Sequence, residues 1–365
     1  MKVFESIFER SLCGQPLNQS EVAALLATPP GKPLEDLFAV ARAFRERSFG
    51  NHVFIYGFIY FSTYCQNYCN FCLYRQCNQS APRYRKPIED ILDVAKALED
   101  DGAHLLDLTM GEDRFYTQND GERLLDLVAR VREAVAVPLM ISPGVINAEL
   151  LRATAEQGLD WYACYQETFN KRLFSRLRKG QDFHSRLKAK VQAMQAGFLL
   201  EEGLLVGVGE SSADIGAAIE AMRNLQASQV RAMTFRPQRG TPMANWQAPD
   251  SLDELRLIAT LRLCFPDKLI PASLDVDGLD GLRARLNAGA NVVTSVIPPR
   301  HGLAGVSRAR VDIEDSQRTV SSVTPVIKGL GLKIAPILTY QQWIKKEKRR
   351  FFRQDQTDFR SAQLG

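Results

Sequence analysis

Cys65, Cys69 and Cys72 stand at a C-x₃-C-x₂-C spacing in the run Cys65-Gln-Asn-Tyr-Cys69-Asn-Phe-Cys72. Thiolates are soft ligands, and three this close in one loop can hold a zinc ion or an iron–sulfur cluster. Zinc ordinarily takes a fourth protein ligand, and Cys77 stands near enough to offer one. Zinc motifs usually come as paired C-x₂-C knuckles, which this run lacks. A four-iron cube held by only three thiolates keeps one iron free of protein ligands, and an open iron is a site for chemistry.

A second constellation is charge placed in apolar strands. Asp107 and Thr109 share one face of a strand, because residues two apart point the same way. Ser273 and Asp275 do the same, and Arg231 opens the apolar run Ala232-Met-Thr-Phe235. Such groups are costly if buried without partners. Two carboxylates and one guanidinium leave a net −1, which complements a ligand carrying two ammonium groups and one carboxylate. The alternative is that Asp107 or Asp275 caps a loop or helix, a common use of aspartate. The run Asp275-Val-Asp-Gly-Leu-Asp280, just before a helix, makes capping the ready reading of Asp277 and Asp280.

The elements that must position these groups alternate. Strands are expected at 53–60, 104–109, 137–142, 160–166, 202–208, 229–235, 268–274 and 291–296. Amphipathic helices are expected at 88–100, 120–134, 147–157, 183–196, 213–226, 251–264 and 279–288, with an eighth near 313–330. Eight such units make a (β/α)₈ TIM-type barrel spanning 51–335. Residues 1–50 read as an N-terminal helical extension, with a cap at Ser20 and a helix opened by Pro33. Residues 336–365 read as a basic C-terminal tail, a solvated terminal helix or tail and not an RNA-binding arm. Active sites of such barrels lie at the C-terminal ends of the strands. Ser142 and Glu167 are polar residues expected there, with Arg186 on the following helix. Gly207 and Gly209 follow the fifth strand and permit close backbone approach to a ligand, but no third glycine completes a dinucleotide fingerprint.

Composition bounds the rest. The 365 residues are 45% hydrophobic and 24% charged, ordinary for a globular protein of one large domain. A net charge of +4 gives no reason to expect nucleic acid. The seven cysteines form no disulfide framework and suit a reducing, cytoplasmic setting. No apolar run reaches membrane-spanning length, and the first residues lack a signal-peptide core.

The cysteine run, with Phe71 as the aromatic before Cys72, carries the signature of the radical S-adenosylmethionine (SAM) superfamily. The segments Phe58–Cys72, Asp107–Asp113, Met140–Gly144, Tyr165–Thr168, Arg231–Phe235 and Leu269–Asp275 narrow the match. Over roughly residues 20–330 the chain resembles the methylornithine synthases, a family within the eight-stranded, biotin-synthase-like group. The resemblance implies one 4Fe–4S cluster on Cys65, Cys69 and Cys72, with the fourth iron chelated by SAM. It assigns Glu167 to polar groups of SAM and Arg186 to the SAM carboxylate; Phe71, Ser142, Gly207 and Gly209 complete the expected cofactor side. It assigns Arg231 and Ser273 to a lysine carboxylate, and Asp107 and Asp275 to its amino groups. The implied activity is isomerisation of L-lysine to 3-methylornithine, the opening step of pyrrolysine biosynthesis. It starts with an electron from reduced ferredoxin or flavodoxin and hydrogen abstraction by a 5′-deoxyadenosyl radical. Rival readings are a sulfur-inserting enzyme, a hydrogenase-cofactor maturase, a mutase of another amino acid, or a non-catalytic metal-binding protein. A sulfur-inserting enzyme needs a second cluster, yet only Cys164 is expected on a strand, with Cys264 on a helix and Cys13 in the extension.

Overall fold

A computed structural model describes residues 2–307 and 318–362, with side chains described for 6–307 and 318–350. Three helices lead: α1 (Lys2–Leu12), α2 (Gln19–Leu26) and α3 (Lys32–Phe49). The cap of α2 is Asn18, not Ser20: its side chain accepts from the Glu21 amide, while Glu21 accepts from the Asn18 amide. The first half of the alternation is β1 (His52–Ser62), α4 (Ile88–Asp100), β2 (Leu105–Met110), α5 (Arg114–Thr117), α6 (Glu122–Ala134), β3 (Leu139–Ser142), α7 (Ala148–Glu156) and β4 (Trp161–Ala163). The second half is α8 (Lys171–Leu177), α9 (Phe183–Gln195), β5 (Leu199–Val206), α10 (Ser212–Asn224), β6 (Gln229–Thr234), α11 (Ser251–Cys264), β7 (Pro271–Ser273), α12 (Gly278–Asn287) and β8 (Val292–Val296). The chain closes with α13 (Val320–Lys328), β9 (Lys333–Ile334) and α14 (Ile337–Ala362). Part of the eighth helix expected near 313–330 lies outside the described residues.

The strands pair in parallel in the order β6-β5-β4-β3-β2-β1-β8-β7. The ring shuts where Gln229 bridges Leu269, through Val230 N–H to Leu269 O at 3.0 Å and Leu269 N–H to Ser228 O at 3.1 Å. Parallel strands covered on both faces read as near-continuous apolar runs. β1 does so: every residue after His52 is buried. Helices cover the outside through apolar stripes, as Ile91, Val94, Ala95 and Leu98 do on α4. The three leading helices pack on that outer ring, α2 against α10 and α11, and α3 against α11.

The C-terminal stretch corrects the expectation of a solvated tail. β9 pairs with His52 and Val53, at the N-terminal end of β1, and so delivers α14 to the bottom of the barrel. There Tyr340 and Ile344 are buried, the Tyr340 hydroxyl lies 2.6 Å from that of Tyr56, and Trp343 stacks on Trp161 with centroids 6.0 Å apart. A basic helix thus presents one aromatic stripe inward and closes the N-terminal mouth. The opposite mouth stays open to the loops.

Candidate active site

The cysteine loop leaves β1 at Ser62 and is tied on two sides. The Gln66 amide donates to Glu112 O at 3.0 Å, on the loop after β2, and the Asn70 amide donates to Leu177 O at 2.7 Å, at the end of α8. Gly111 lies against the loop backbone: a Cβ there would sit 2.2 Å from Tyr64 O. Cys65, Cys69 and Cys72 all line one cavity at the C-terminal mouth, while Cys77 is exposed and outside it. Burial pushes the Cys65 thiol up to about 11 and raises Cys72 as well. Cys69 is met by two donors, Gln181 Nε2 at 3.0 Å and Arg178 Nη1 at 3.6 Å from its sulfur. Among the described residues, no three His, Cys, Asp or Glu side chains converge closely enough to hold a single metal ion.

In the wall of this cavity stand two buried ion pairs. Arg178 bonds Glu167 at 2.7 Å and lies 5.6 Å over the Phe71 ring. Arg186 bonds Glu112 at 2.8 Å and the Tyr165 carbonyl at 2.7 Å. β4 ends at Ala163, so Cys164 falls just past it and Glu167 stands in the loop beyond, not at the strand end expected from 160–166. Glu167 adopts φ +68°, a conformation rare for a side-chain-bearing residue, and its carbonyl accepts from Leu205 N–H at 3.0 Å. That curl turns the Glu167 side chain into the cavity wall. Its Oε2 is buried without a partner among the described residues, and burial raises its pKa.

Deeper in the same cavity lie the charged strand residues. Asp107 accepts from Ser142 Oγ and from Thr109 Oγ1, both at 2.9 Å. Burial, helped by the nearby Glu201 carboxylate, pushes the Asp107 pKa up to about 7. Arg231 donates to Glu201 at 2.6 Å and to Thr294 Oγ1 at 3.1 Å. Asp275 accepts from Ser295 at 2.6 Å, Arg318 at 2.8 Å and Ser273 at 3.1 Å. Burial opposes its charge, but Arg318 and Ser295 hold its carboxyl below the usual range.

The cavity therefore brings together Cys65, Cys69, Cys72, Phe71, Asp107, Ser142, Glu167, Arg186, Arg231, Ser273 and Asp275. Ser142, grouped with the cofactor contacts on sequence grounds, bonds Asp107 and stands at the junction of the two zones. Asp275 lies past the end of β7, so it and Ser273 meet by a turn and not by strand parity. Gly207 and Gly209 do not line the cavity. Their positive φ values, +88° and +96°, accompany close packing on Pro249 and Arg176, where a Cβ would come to 2.4 and 2.7 Å.

Sequence reasoning missed Glu112, Arg178, Gln181, Glu201 and Arg318. Glu201 escaped because β5 starts at Leu199 and not at 202; with the true start, Glu201 falls on an inward position of a buried strand. Arg318 has no local signal, since its partner Asp275 is 43 residues away. With both added, Asp107, Glu201 and Asp275 stand with Arg231 and Arg318, a net −1 for these five groups.

A model of the radical SAM superfamily matches residues 59–222. The chain is 43% identical over 336 residues to the 3-methylornithine synthase of Methanosarcina barkeri, covering 91% of this chain and 94% of that protein. It is 44% identical to the enzyme of the same name from Methanosarcina acetivorans, covering 90% and 93%. A crystal structure of methylornithine synthase (PylB) superposes with a TM-score of 0.88 at 40% identity, covering 92% of this chain and 99% of that one.

Proposed function

From the fact that this chain belongs to the methylornithine synthase family of radical SAM enzymes, we infer that it isomerises L-lysine to 3-methylornithine. The observation that carries the inference is the meeting, in one cavity, of three cysteines with Asp107, Arg231, Ser273 and Asp275. The residues fit the cofactors of the family. Cys65, Cys69 and Cys72 would hold a 4Fe–4S cluster, with Gln181 and Arg178 donating to the Cys69 sulfur, a contact that tunes such groups. Glu167, with its orphan Oε2, and Arg186 would receive the polar groups of SAM; a guanidinium can grip a carboxylate with two bonds. When bound, the cluster and SAM supply the hydrogen-abstracting radical.

The protein's own work is binding, orientation and exclusion of water. Glu201 and Thr294 occupy Nε and Nη1 of Arg231, which leaves Nη2 for the substrate carboxylate, beside Ser273. Asp107 and Asp275 take the two ammonium groups. Apolar walls from Tyr56, Phe58 and Tyr60 keep the reacting carbon chain dry. The electron reaches the site from a reduced ferredoxin or flavodoxin, in a cytoplasmic setting that suits reduced thiols. The test is anaerobic incubation of the reconstituted protein with SAM, dithionite and L-lysine, followed by mass analysis and NMR. A branched product isomeric with lysine is expected. Breaking a buried charged contact costs about 3–5 kcal/mol, so Arg231→Ala should keep cluster absorbance and SAM cleavage but lose conversion. Cys69→Ala should lose SAM cleavage, and Cys77→Ala should not. SAM cleavage that leaves lysine untouched would reassign the substrate.

A further inference from the structure

The net charge of +4 conceals a strong asymmetry. Residues 64–86 and 168–181, the cysteine loop with its exit and the loop with α8, carry nine Lys and Arg and no Asp or Glu. With 46 Lys and Arg and 42 Asp and Glu in all, the remainder of the chain has 37 cations against 42 anions, a net −5. The two segments touch. Asn70 bonds the carbonyls of Leu177 and Arg176, both at 2.7 Å. Arg75 donates to Tyr68 O at 3.3 Å, over the middle of the cysteine loop, and Asn78 reaches Arg239 O at 2.9 Å. Only two of the nine are neutralised by carboxylates from elsewhere among the described residues, Arg178 by Glu167 and Arg85 by Asp113. Arg172, Arg176, Lys179 and, nearby, Arg239 are exposed, and Tyr68, in the cysteine loop, is 43% exposed.

Seven cations without a carboxylate partner in these two segments, five of them (Arg75, Lys171, Arg172, Arg176 and Lys179) beside the cysteine loop, on α8 or just past its end, need a reason, since like charges repel and the rest of the chain is slightly acidic. We propose that this face, α8 and Lys179 just past it together with residues 68–77, is the docking surface for an acidic one-electron carrier protein that feeds the cysteine-bound group. The proposal rests on the functional reading above. It commits to an electron-carrying protein because the patch borders the exposed Tyr68, next to Cys69, where an electron must enter: Asn70 ties α8 to the cysteine loop and Arg75 bonds Tyr68 O. In the step itself one electron leaves the carrier, which is oxidised by one, and is taken up at the group held by Cys65, Cys69 and Cys72; no proton need move. Charge complementarity of this kind sets the encounter rate and fades with salt.

The test uses the full chain carrying its reconstituted cluster, and the double variant Arg172→Glu with Lys179→Glu. Both residues are exposed, and neither touches the cavity. The bleaching of the cluster on reduction is followed by stopped flow with two reductants: a reduced, acidic flavodoxin, and photoreduced 5-deazariboflavin, which is small and uncharged. The expected result is at least a tenfold slower reduction of the variant by flavodoxin, with a flatter salt dependence, and equal reduction of both proteins by the deazaflavin. Equal rates with flavodoxin would overturn the proposal, as would an equal loss with both reductants. Equal flavodoxin rates together with uptake of a labelled oligonucleotide by wild type alone would move the patch to nucleic acid. Conversion of lysine is scored separately with dithionite, so a wrong substrate leaves this test intact, and failure to bind a cluster would count against the functional reading instead.

Discussion

Asp107 is the residue whose environment makes the sharpest statement. It is buried beside Glu201, and two hydroxyls do not offset the desolvation, so in the free pocket it titrates near neutrality. An arriving ammonium favours the carboxylate form. Lysine binding should therefore release a proton below pH 7, with affinity flat above pH 7 and falling about tenfold per unit below it. Asp275, held low by Arg318, should add no slope in that range. Calorimetry with the unreduced, SAM-loaded protein in buffers of different ionisation heat measures both effects. Asp107→Asn should bind lysine weakly and without pH dependence; an unchanged slope would place the titrating group elsewhere.

At the scale of elements, short loops hold the site by close backbone contacts. Gly144, at φ +76°, leaves room for Glu112: an added Cβ would lie 2.0 Å from Glu112 Cγ. Gly144→Ala should thus push Glu112 from Arg186, weaken SAM binding by tenfold or more and leave the fold intact, as judged by equilibrium dialysis and circular dichroism. The opposite mouth depends on α14. Removing a large buried aromatic typically costs about 3–5 kcal/mol. Tyr340→Ala, which also orphans the Tyr56 hydroxyl, should lower the thermal midpoint clearly, while the cysteine loop at the far end still binds its cluster. A midpoint equal to wild type would mean that α14 only rests on the barrel.

The whole molecule decides what kind of radical enzyme this is. A sulfur donor would need a second set of thiolates inside the barrel. Of the cysteines outside the loop, Cys164 alone lines the cavity, and the inner positions of β2, β6 and β7 carry Asp107, Arg231 and Ser273 instead. A pocket that binds one amino acid and gives nothing away should return hydrogen to the cofactor-derived radical. Over many turnovers 5′-deoxyadenosine should stay far below product. One equivalent per product would mean that SAM is consumed and would remove the isomerase reading.

Much of this was legible in the chain itself. Thiol spacing within eight residues is local, and strand–helix alternation is periodic, so the cysteine loop and the eight-stranded barrel could be read without coordinates. Charge in or beside apolar strands marked Asp107, Arg231 and Asp275, because such burial is costly without a purpose. Only the tertiary structure decided the partners. Arg318 reaches Asp275 across 43 residues, Glu201 turned inward once β5 began at Leu199, and Glu167 entered the wall through a left-handed turn. The basic tail became the floor of the barrel because one aromatic stripe found Tyr56 and Trp161. Periodicity says which face is apolar; it does not say which face of which distant element will cover it.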